Sequence, residues 1–279
     1  MWIRDKLPED LPAFRQILFG YDTSLASNDS FQVVEDIALS LIAKLRSIGR
    51  SSKTAKPIIF FAHSLGGIVL KQAMVVLAGS SGVEKVILQK IRGVFFFGVP
   101  HLGMEMAHLL EIVQGQPNEP LVRTLSRDGS YLTLLDDQFR GIALFPKVRI
   151  ISAYETKMSQ STQVSSAVLI SYILLTILQL QMSTDGIICR TGDLHVAVDR
   201  HSAVHGGSES RFPINRDHSN LVKFSENDSD YHTVASYLNE VADALSAVEI
   251  SPSRKVDVNK MSQDISSRTS KLNQYSSMF

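Results

Sequence analysis

The sequence predicts a protein of the α/β class, with a mostly parallel sheet flanked by helices. Several short apolar runs, each too short for a helix, have the composition of strands that are buried on both faces. They alternate with longer stretches in which apolar residues recur at helical spacing, and this alternation is typical of a parallel sheet. The chain has 279 residues, 44% of them apolar, which is enough to fill the core of such a domain.

The first predicted elements precede residue 63. Arg15–Gly20 has the pattern of a short strand that ends in a turn. Asn28–Ser30 supplies residue types that cap helix N-termini, and the apolar spacing that follows predicts a helix to about Gly49. Pro57–Ala62 is a continuous apolar run, which predicts a parallel strand covered on both faces.

The remaining elements continue the alternation. Leu65 to about Ala78 predicts a helix, which a Gly/Ser cluster terminates. Gly93–Gly98 and Lys147–Ala153 repeat the pattern of a buried strand, and Leu194–Val198 is the predicted last strand. Tyr231 to Val248 predicts a closing amphipathic helix.

The composition excludes several classes of partner and cofactor. Lysine plus arginine and aspartate plus glutamate number 28 each, so no net charge draws the chain to nucleic acid. The single cysteine, Cys189, excludes an internal disulfide framework and a multi-cysteine zinc site. No zinc-protease or phosphate-loop motif occurs, so we expect no metal and no other cofactor. The first residues lack the apolar core of a secretory signal, which predicts an intracellular, by default cytoplasmic, protein.

The octapeptide Phe60–Gly67, FFAHSLGG, joins the predicted buried strand to the following helix. This context predicts a nucleophile elbow, a strained turn that exposes the hydroxyl of Ser64 above the sheet. The elbow is crowded, so the residues two before and two after the serine must be small, and here they are Ala62 and Gly66. The main-chain amide of Leu65, at the helix N-terminus, is the expected oxyanion donor. A serine that merely caps the helix is the alternative interpretation.

A serine nucleophile on such an elbow needs an acid and a base, which follow it in that order along the chain. His218 lies in a polar loop after the last predicted strand and is the candidate base. Glu155 directly follows the strand that ends at Ala153 and is the candidate acid; Asp199, one strand later, is the alternative acid. The other histidines lie beside the nucleophile, before the acid, within or just after a strand, or at the start of the last helix: His63, His101, His108, His195, His201, His205 and His232.

Beyond these residues the chain resembles the serine esterase and lipase-like α/β-hydrolases related to the serine-active-site-containing protein, many of them fungal and fused to nucleotide-binding or repeat domains. The resemblance covers residue 2 to about residue 247. Its motifs are individually short, and their number and order make it specific. They are Trp2–Asp5 with Leu7–Pro8, Phe19–Asp22, Ala62–Gly67, Phe97–Gly103, Tyr154–Thr156 and Asp217–His218.

The resemblance implies an α/β-hydrolase that cleaves a carboxylic ester or a lipid through an acyl-enzyme. Ser64, Glu155 and His218 would be nucleophile, acid and base. Members of the family carry, before the Trp-x-Arg-Asp segment, a strand and a His-Gly loop that supplies a second oxyanion donor. We therefore expect N-terminal strands to be missing and activity to be weak or absent, since one lost donor costs roughly a hundred- to thousandfold in rate. Some relatives are associated with mitochondria or the endoplasmic reticulum, so association with either membrane is a further expectation.

One uncharged interval interrupts the α/β pattern. We expect a hydrolase domain over residues 1–249 with an apolar insertion at about 159–183, and a polar, disordered tail over residues 250–279. Within the insertion, Val164–Gln181 leaves three interpretations: a buried helix, a membrane span or a translated intron. A span would separate Glu155 from His218 and is incompatible with a working triad. The alternative function is a catalytically inactive effector or interaction module, in which the elbow survives as a scaffold.

Overall fold

A parallel sheet of four strands lies at the centre of the fold. The structure, a computed structural model, describes residues 2–127, 129–142, 148–161, 163–164, 188–189, 192–204 and 210–250. The chain divides into two compact units, Met1–Val241 and Ala242–Phe279, and the features below belong to the first, apart from the end of the last helix. The predicted apolar insertion at about 159–183 lies outside the described residues from residue 165 onwards, as does the tail from residue 251. The predictions for those two segments therefore stay predictions.

The described strands form one larger sheet and two small pairs. In the larger sheet the order is β1-β2-β3-β8 and every neighbouring pair is parallel, as predicted for the α/β class. The short strands pair antiparallel, β4 with β7 and β5 with β6. The strands are β1 (Ile58–His63), β2 (Ile91–Phe97), β3 (Arg149–Glu155), β4 (Ser159–Gln160), β5 (Gln163–Val164), β6 (Ile188–Cys189), β7 (Leu194–His195) and β8 (Ser210–Ile214).

Helices cover both faces of the sheet. On one face α4 contacts β1 and packs against α3, α5 and α8. On the other face the Trp2 ring meets Phe61 of β1 and Tyr231 of α10 edge-on, with ring centroids 5.8 and 5.7 Å away. The helices are α1 (Trp2–Asp5), α2 (Leu7–Asp10), α3 (Val34–Ser47), α4 (Leu65–Gly79), α5 (Val83–Lys90), α6 (Ala107–Val113), α7 (Glu119–Arg123), α8 (Ser130–Arg140), α9 (Arg200–Ala203) and α10 (Ser229–Ile250). In the part of the chain that is described, none of these helices combines the length and the apolar character needed to cross a membrane.

Two sequence-based strand predictions are wrong. Arg15–Gly20 forms no strand, and Ile17 and Leu18 in it are 52% and 68% exposed. An apolar run becomes a strand only where a neighbouring strand accepts its main-chain hydrogen bonds, and the sheet described here ends at β1. Leu194–Val198 contributes only the two-residue β7, which pairs with β4 and stays outside the larger sheet.

The last strand of the sheet is β8, which the sequence pattern did not reveal. It pairs with β3 in the register Tyr154↔Pro213 and Glu155↔Ile214. A proline within a run argues against a central strand, because it cannot donate to the ladder. The edge position of β8 accommodates Pro213, since only one side of that strand is paired. β8 is therefore the last strand of the sheet, and His218 lies in the loop after it, as predicted.

The start of α3 also differs from the prediction. Asn28–Ser30 forms a turn, in which the Asn28 Oδ1 accepts from the Ser30 amide at 2.7 Å. The helix begins at Val34, and the Asp36 carboxylate accepts from the Val33 amide at 3.1 Å. Because this carboxylate lies in the first turn, it accepts from an amide that would otherwise lack an acceptor. Its negative charge also interacts favourably with the positive end of the helix dipole. The helix end predicted at about Gly49 agrees with the observed end at Ser47.

A buried charged cluster connects α4 to its neighbours. The Lys71 ammonium of α4 is fully buried and pairs with the Asp136 carboxylate of α8. The same nitrogen lies 3.2 Å from the His101 Nδ1 in the loop after β2. Burial lowers the pKa of Lys71 to about 8, although the Asp136 charge acts in the opposite direction. Arg140, about half exposed, also pairs with Asp136.

We predict that Lys71→Met lowers the free energy of unfolding by about 3 kcal/mol, because the buried Asp136 carboxylate loses its buried cationic partner. Urea unfolding of the variant and the native chain measures the change. In the double variant Lys71→Met/Asp136→Leu no buried charge is left uncompensated, so most of the stability should return. Equal midpoints for the single variant and the native chain would contradict the prediction.

Candidate active site

Ser64 occupies a sharp turn between β1 and α4. The strand ends at His63 and the helix begins at Leu65, so the serine alone makes the turn. Its backbone has φ 52° and ψ −128°, a left-handed conformation that side chains rarely adopt. Such a residue costs roughly 1–3 kcal/mol and persists only where its surroundings hold it. Here its amide donates to the Phe97 carbonyl at the end of β2, at 3.0 Å.

Gly66 and Gly67 lie in the first turn of α4, and the space around each of them differs. A Cβ added to Gly67 would lie 2.2 Å from the Val99 Cγ2, so α4 approaches the loop after β2 closely at this position. At Gly66 the nearest heavy atom to an added Cβ is the Tyr21 hydroxyl, at 3.4 Å. The elbow thus brings the loop after β2 and the segment around Tyr21 next to the first turn of α4.

His218 lies between Ser64 and Glu155. Its Nε2 is 2.9 Å from the Ser64 Oγ, and its Nδ1 is 2.7 Å from the Glu155 Oε2. A carboxylate only accepts, so Nδ1 carries the proton and Nε2 can accept from the serine hydroxyl. The structure therefore brings together the three residues that the sequence selects as nucleophile, base and acid.

Glu155 and Asp199 have different surroundings. Glu155 ends β3 and is 7% exposed, and its Oε1 accepts from the Val198 amide at 3.0 Å. Asp199 caps α9 through the Ser202 amide at 2.9 Å and pairs with Arg127 at 2.8 Å. The glutamate is the carboxylate that contacts the His218 ring.

Four contacts hold the main chain and ring of His218. Its amide donates to the Ser159 Oγ at 3.1 Å, and its carbonyl accepts from the His63 Nε2 at 2.9 Å. The Asp217 carboxylate caps the 3₁₀ turn that begins at His218. Gly98, at φ 53°, lies against the ring, and a Cβ there would be 3.1 Å from the His218 Nδ1. The imidazole orientation is thus fixed from several elements.

Sequence reasoning missed these supporting residues. His63 and Gly98 belong to motifs that the sequence analysis names, so the sequence pattern could have indicated that both lie near the site. Ser159 carries no sequence signal, because only the folded chain brings β4 to the His218 loop. Three other histidines make different contacts: His101 contacts Lys71, and His108 and His195 form a ring pair with centroids 4.8 Å apart. His205 lies outside the described residues.

The start of α4 offers main-chain donors beside Ser64. In the described structure the amides of Leu65 and Gly66 have no hydrogen-bond acceptor. A helix N-terminus of this kind attracts negative charge. No cluster of three or more metal-ligating side chains occurs within the described residues. The arrangement suits acyl transfer by a serine, with the oxyanion at the helix N-terminus.

A family model and several known proteins are similar to this chain. A family model described as "Putative serine esterase (DUF676)" matches residues 4–168, a range that includes Ser64 and Glu155. Protein SERAC1 of Bos taurus is 30% identical over 161 residues, and that of Homo sapiens 29%. Each alignment covers 56% of this chain and 24% of the relative, so the chain spans about a quarter of the length of these curated relatives. The mature lipase BlEst2 of Bacillus licheniformis is similar with a TM-score of 0.46 and 17% identity, over 73% of this chain and 75% of the lipase.

We predict that Gly67→Ala destabilises the chain by about 1–3 kcal/mol, because its methyl group would overlap the Val99 side chain. Gly79→Ala, in the same helix, is the matched control: nothing lies within 4 Å of its added Cβ. The control should leave stability unchanged or raise it by up to about 1 kcal/mol. Urea unfolding compares the two variants, and Val99→Ala should restore part of the stability lost at Gly67. Equal effects of the two alanines would contradict the close approach of α4.

Proposed function

We propose that this chain, which belongs to the family described as "Putative serine esterase (DUF676)", hydrolyses a carboxylic ester through an acyl-enzyme on Ser64. The observation that carries the proposal is the continuous hydrogen-bond chain from the Ser64 hydroxyl through His218 to Glu155. The serine has a base within hydrogen-bond distance, and the base has a carboxylate, as proton transfer during nucleophilic attack requires. Membership of the family supports the same class of reaction.

In the first half of the reaction Ser64 Oγ attacks the ester carbonyl carbon and its proton passes to His218 Nε2. Glu155 accepts the Nδ1–H bond and stabilises the imidazolium that forms. The negative charge develops on the carbonyl oxygen, towards which the Leu65 amide donates. When the tetrahedral intermediate collapses, the C–O bond breaks and the leaving alcohol takes the proton from His218.

In the second half water replaces the alcohol. His218 takes a proton from the water, whose oxygen attacks the acyl carbon, and then returns a proton to Ser64 Oγ as the acid leaves. The rotation of the imidazole must stay small over this cycle. The contacts of its main chain with Ser159 and His63, and the close approach of Gly98, support that requirement.

That the ester is a lipid stays a prediction from the resemblance of the sequence. Association with a mitochondrial or endoplasmic-reticulum membrane stays a prediction.

The first test labels the purified chain with a fluorophosphonate, which reacts with activated serines. We expect labelling of the native chain and none of Ser64→Ala.

Glu155→Gln should lower kcat by roughly four orders of magnitude, because Nδ1 of His218 loses its charged acceptor. The matched control is Asp199→Asn, the alternative acid, which should change kcat less than about threefold, because Asp199 contacts Arg127 and the start of α9.

Absence of labelling in the native chain would refute the hydrolase and favour the inactive effector or interaction module. A larger loss from Asp199→Asn than from Glu155→Gln would keep the hydrolase and reassign the acid.

A further inference from the structure

Tyr21 places a hydroxyl group beside the nucleophile elbow. Among the described residues it is the only heavy atom, apart from neighbours in the chain and the helix backbone, within 4 Å of the position that a Cβ on Gly66 would occupy. Gly66 is the second residue after Ser64 and lies in the first turn of α4. The hydroxyl therefore lies next to the amides at the start of that helix, which are the donors closest to the nucleophile.

The Tyr21 hydroxyl is free to donate to a bound molecule. Within the described residues it makes no hydrogen bond, and it is not among the fully buried side-chain atoms that lack a partner, so it is open to solvent. Burial of the ring raises the pKa of Tyr21 to about 12, so the hydroxyl keeps its proton at any pH suited to ester hydrolysis. A substrate oxygen can therefore take the place of the solvent that an open hydroxyl binds.

Contacts on both sides fix the position of Tyr21. Its ring packs against Phe19, with ring centroids 5.9 Å apart. After it, the Asp22 Oδ1 accepts from the Ser24 amide at 2.9 Å. The buried Asn118, from the start of α7, donates to the carbonyls of Ser24 and Leu25 at 2.9 and 3.1 Å. The tyrosine is thus held in place before any substrate binds, as an electrostatic catalyst requires.

We infer that the Tyr21 hydroxyl donates the second hydrogen bond to the substrate carbonyl oxygen, next to the Leu65 amide. This inference rests on the proposed ester hydrolysis. An oxyanion site needs at least two converging donors, and a tyrosine side chain can serve as one of them. The hydroxyl strengthens its bond as negative charge develops on the oxygen, so it stabilises the transition state more than the bound ester.

Tyr21→Phe tests the inference, because it removes the hydroxyl oxygen and keeps the ring. We expect kcat to fall roughly a hundredfold or more while KM changes less than about threefold. Affinity for a trifluoromethyl ketone, which forms a tetrahedral oxyanion on Ser64, should fall by a similar factor. Affinity for the matching non-reactive amide should not change. A merely structural role of Tyr21 would weaken both ligands alike and lower the melting temperature.

Tyr131→Phe is the matched control, because its hydroxyl donates to the Gln72 side chain at 3.1 Å and belongs to α8. It should keep native kcat. If the native chain is labelled at Ser64 and Tyr21→Phe keeps native kcat and ketone affinity, the inference is wrong and the hydrolase stands. If the native chain is neither labelled nor active, the proposed function and the inference fall together.

Discussion

The turn at Ser64 organises the candidate site. Ser64 is the single residue between the strand and the helix, and its φ is 52°. Because the turn is this sharp, the hydroxyl projects from it and the free amides at the start of the helix lie beside it. A conformation that costs roughly 1–3 kcal/mol needs external support. Part of that support is the bond from the Ser64 amide to the end of β2. Further support comes from α4, because its first turn packs closely against the loop after β2 at Gly67.

Buried charge holds the elbow helix in place. Lys71 lies seven residues after Ser64 and pairs with Asp136 of α8, while its ammonium also approaches His101. Burying an ammonium group is costly, and the lowered pKa of Lys71 expresses that cost. An ion pair in the interior contributes little net stability, but it tolerates few alternative arrangements of the groups around it. The pair joins α4 to α8, and on the same helix the contact with Val99 leaves no space for a side chain at residue 67.

Sequence reasoning succeeded where the signal is local and failed where it depends on distant partners. The elbow is a local pattern of strand, small residues and helix, so Ser64, Ala62 and Gly66 could be recognised directly. Glu155 and His218 were selected from chain order, and their proximity to Ser64 required the sheet order. The strand predicted at Arg15–Gly20 is absent, since an apolar run does not reveal whether a neighbouring strand exists. The β8 strand was missed because an edge position tolerates a proline that the pattern counts against a strand.

His63 shows how the elbow also positions the base. In the sequence His63 directly precedes the nucleophile and is not the candidate base. Its Nε2 instead donates to the His218 carbonyl, and the two rings lie 4.9 Å apart. Consecutive residues thus make both contacts: Ser64 with the His218 ring and His63 with its main chain. Any shift of the elbow moves the nucleophile and this support together, so the serine-to-imidazole distance is preserved better than two independent loops could preserve it.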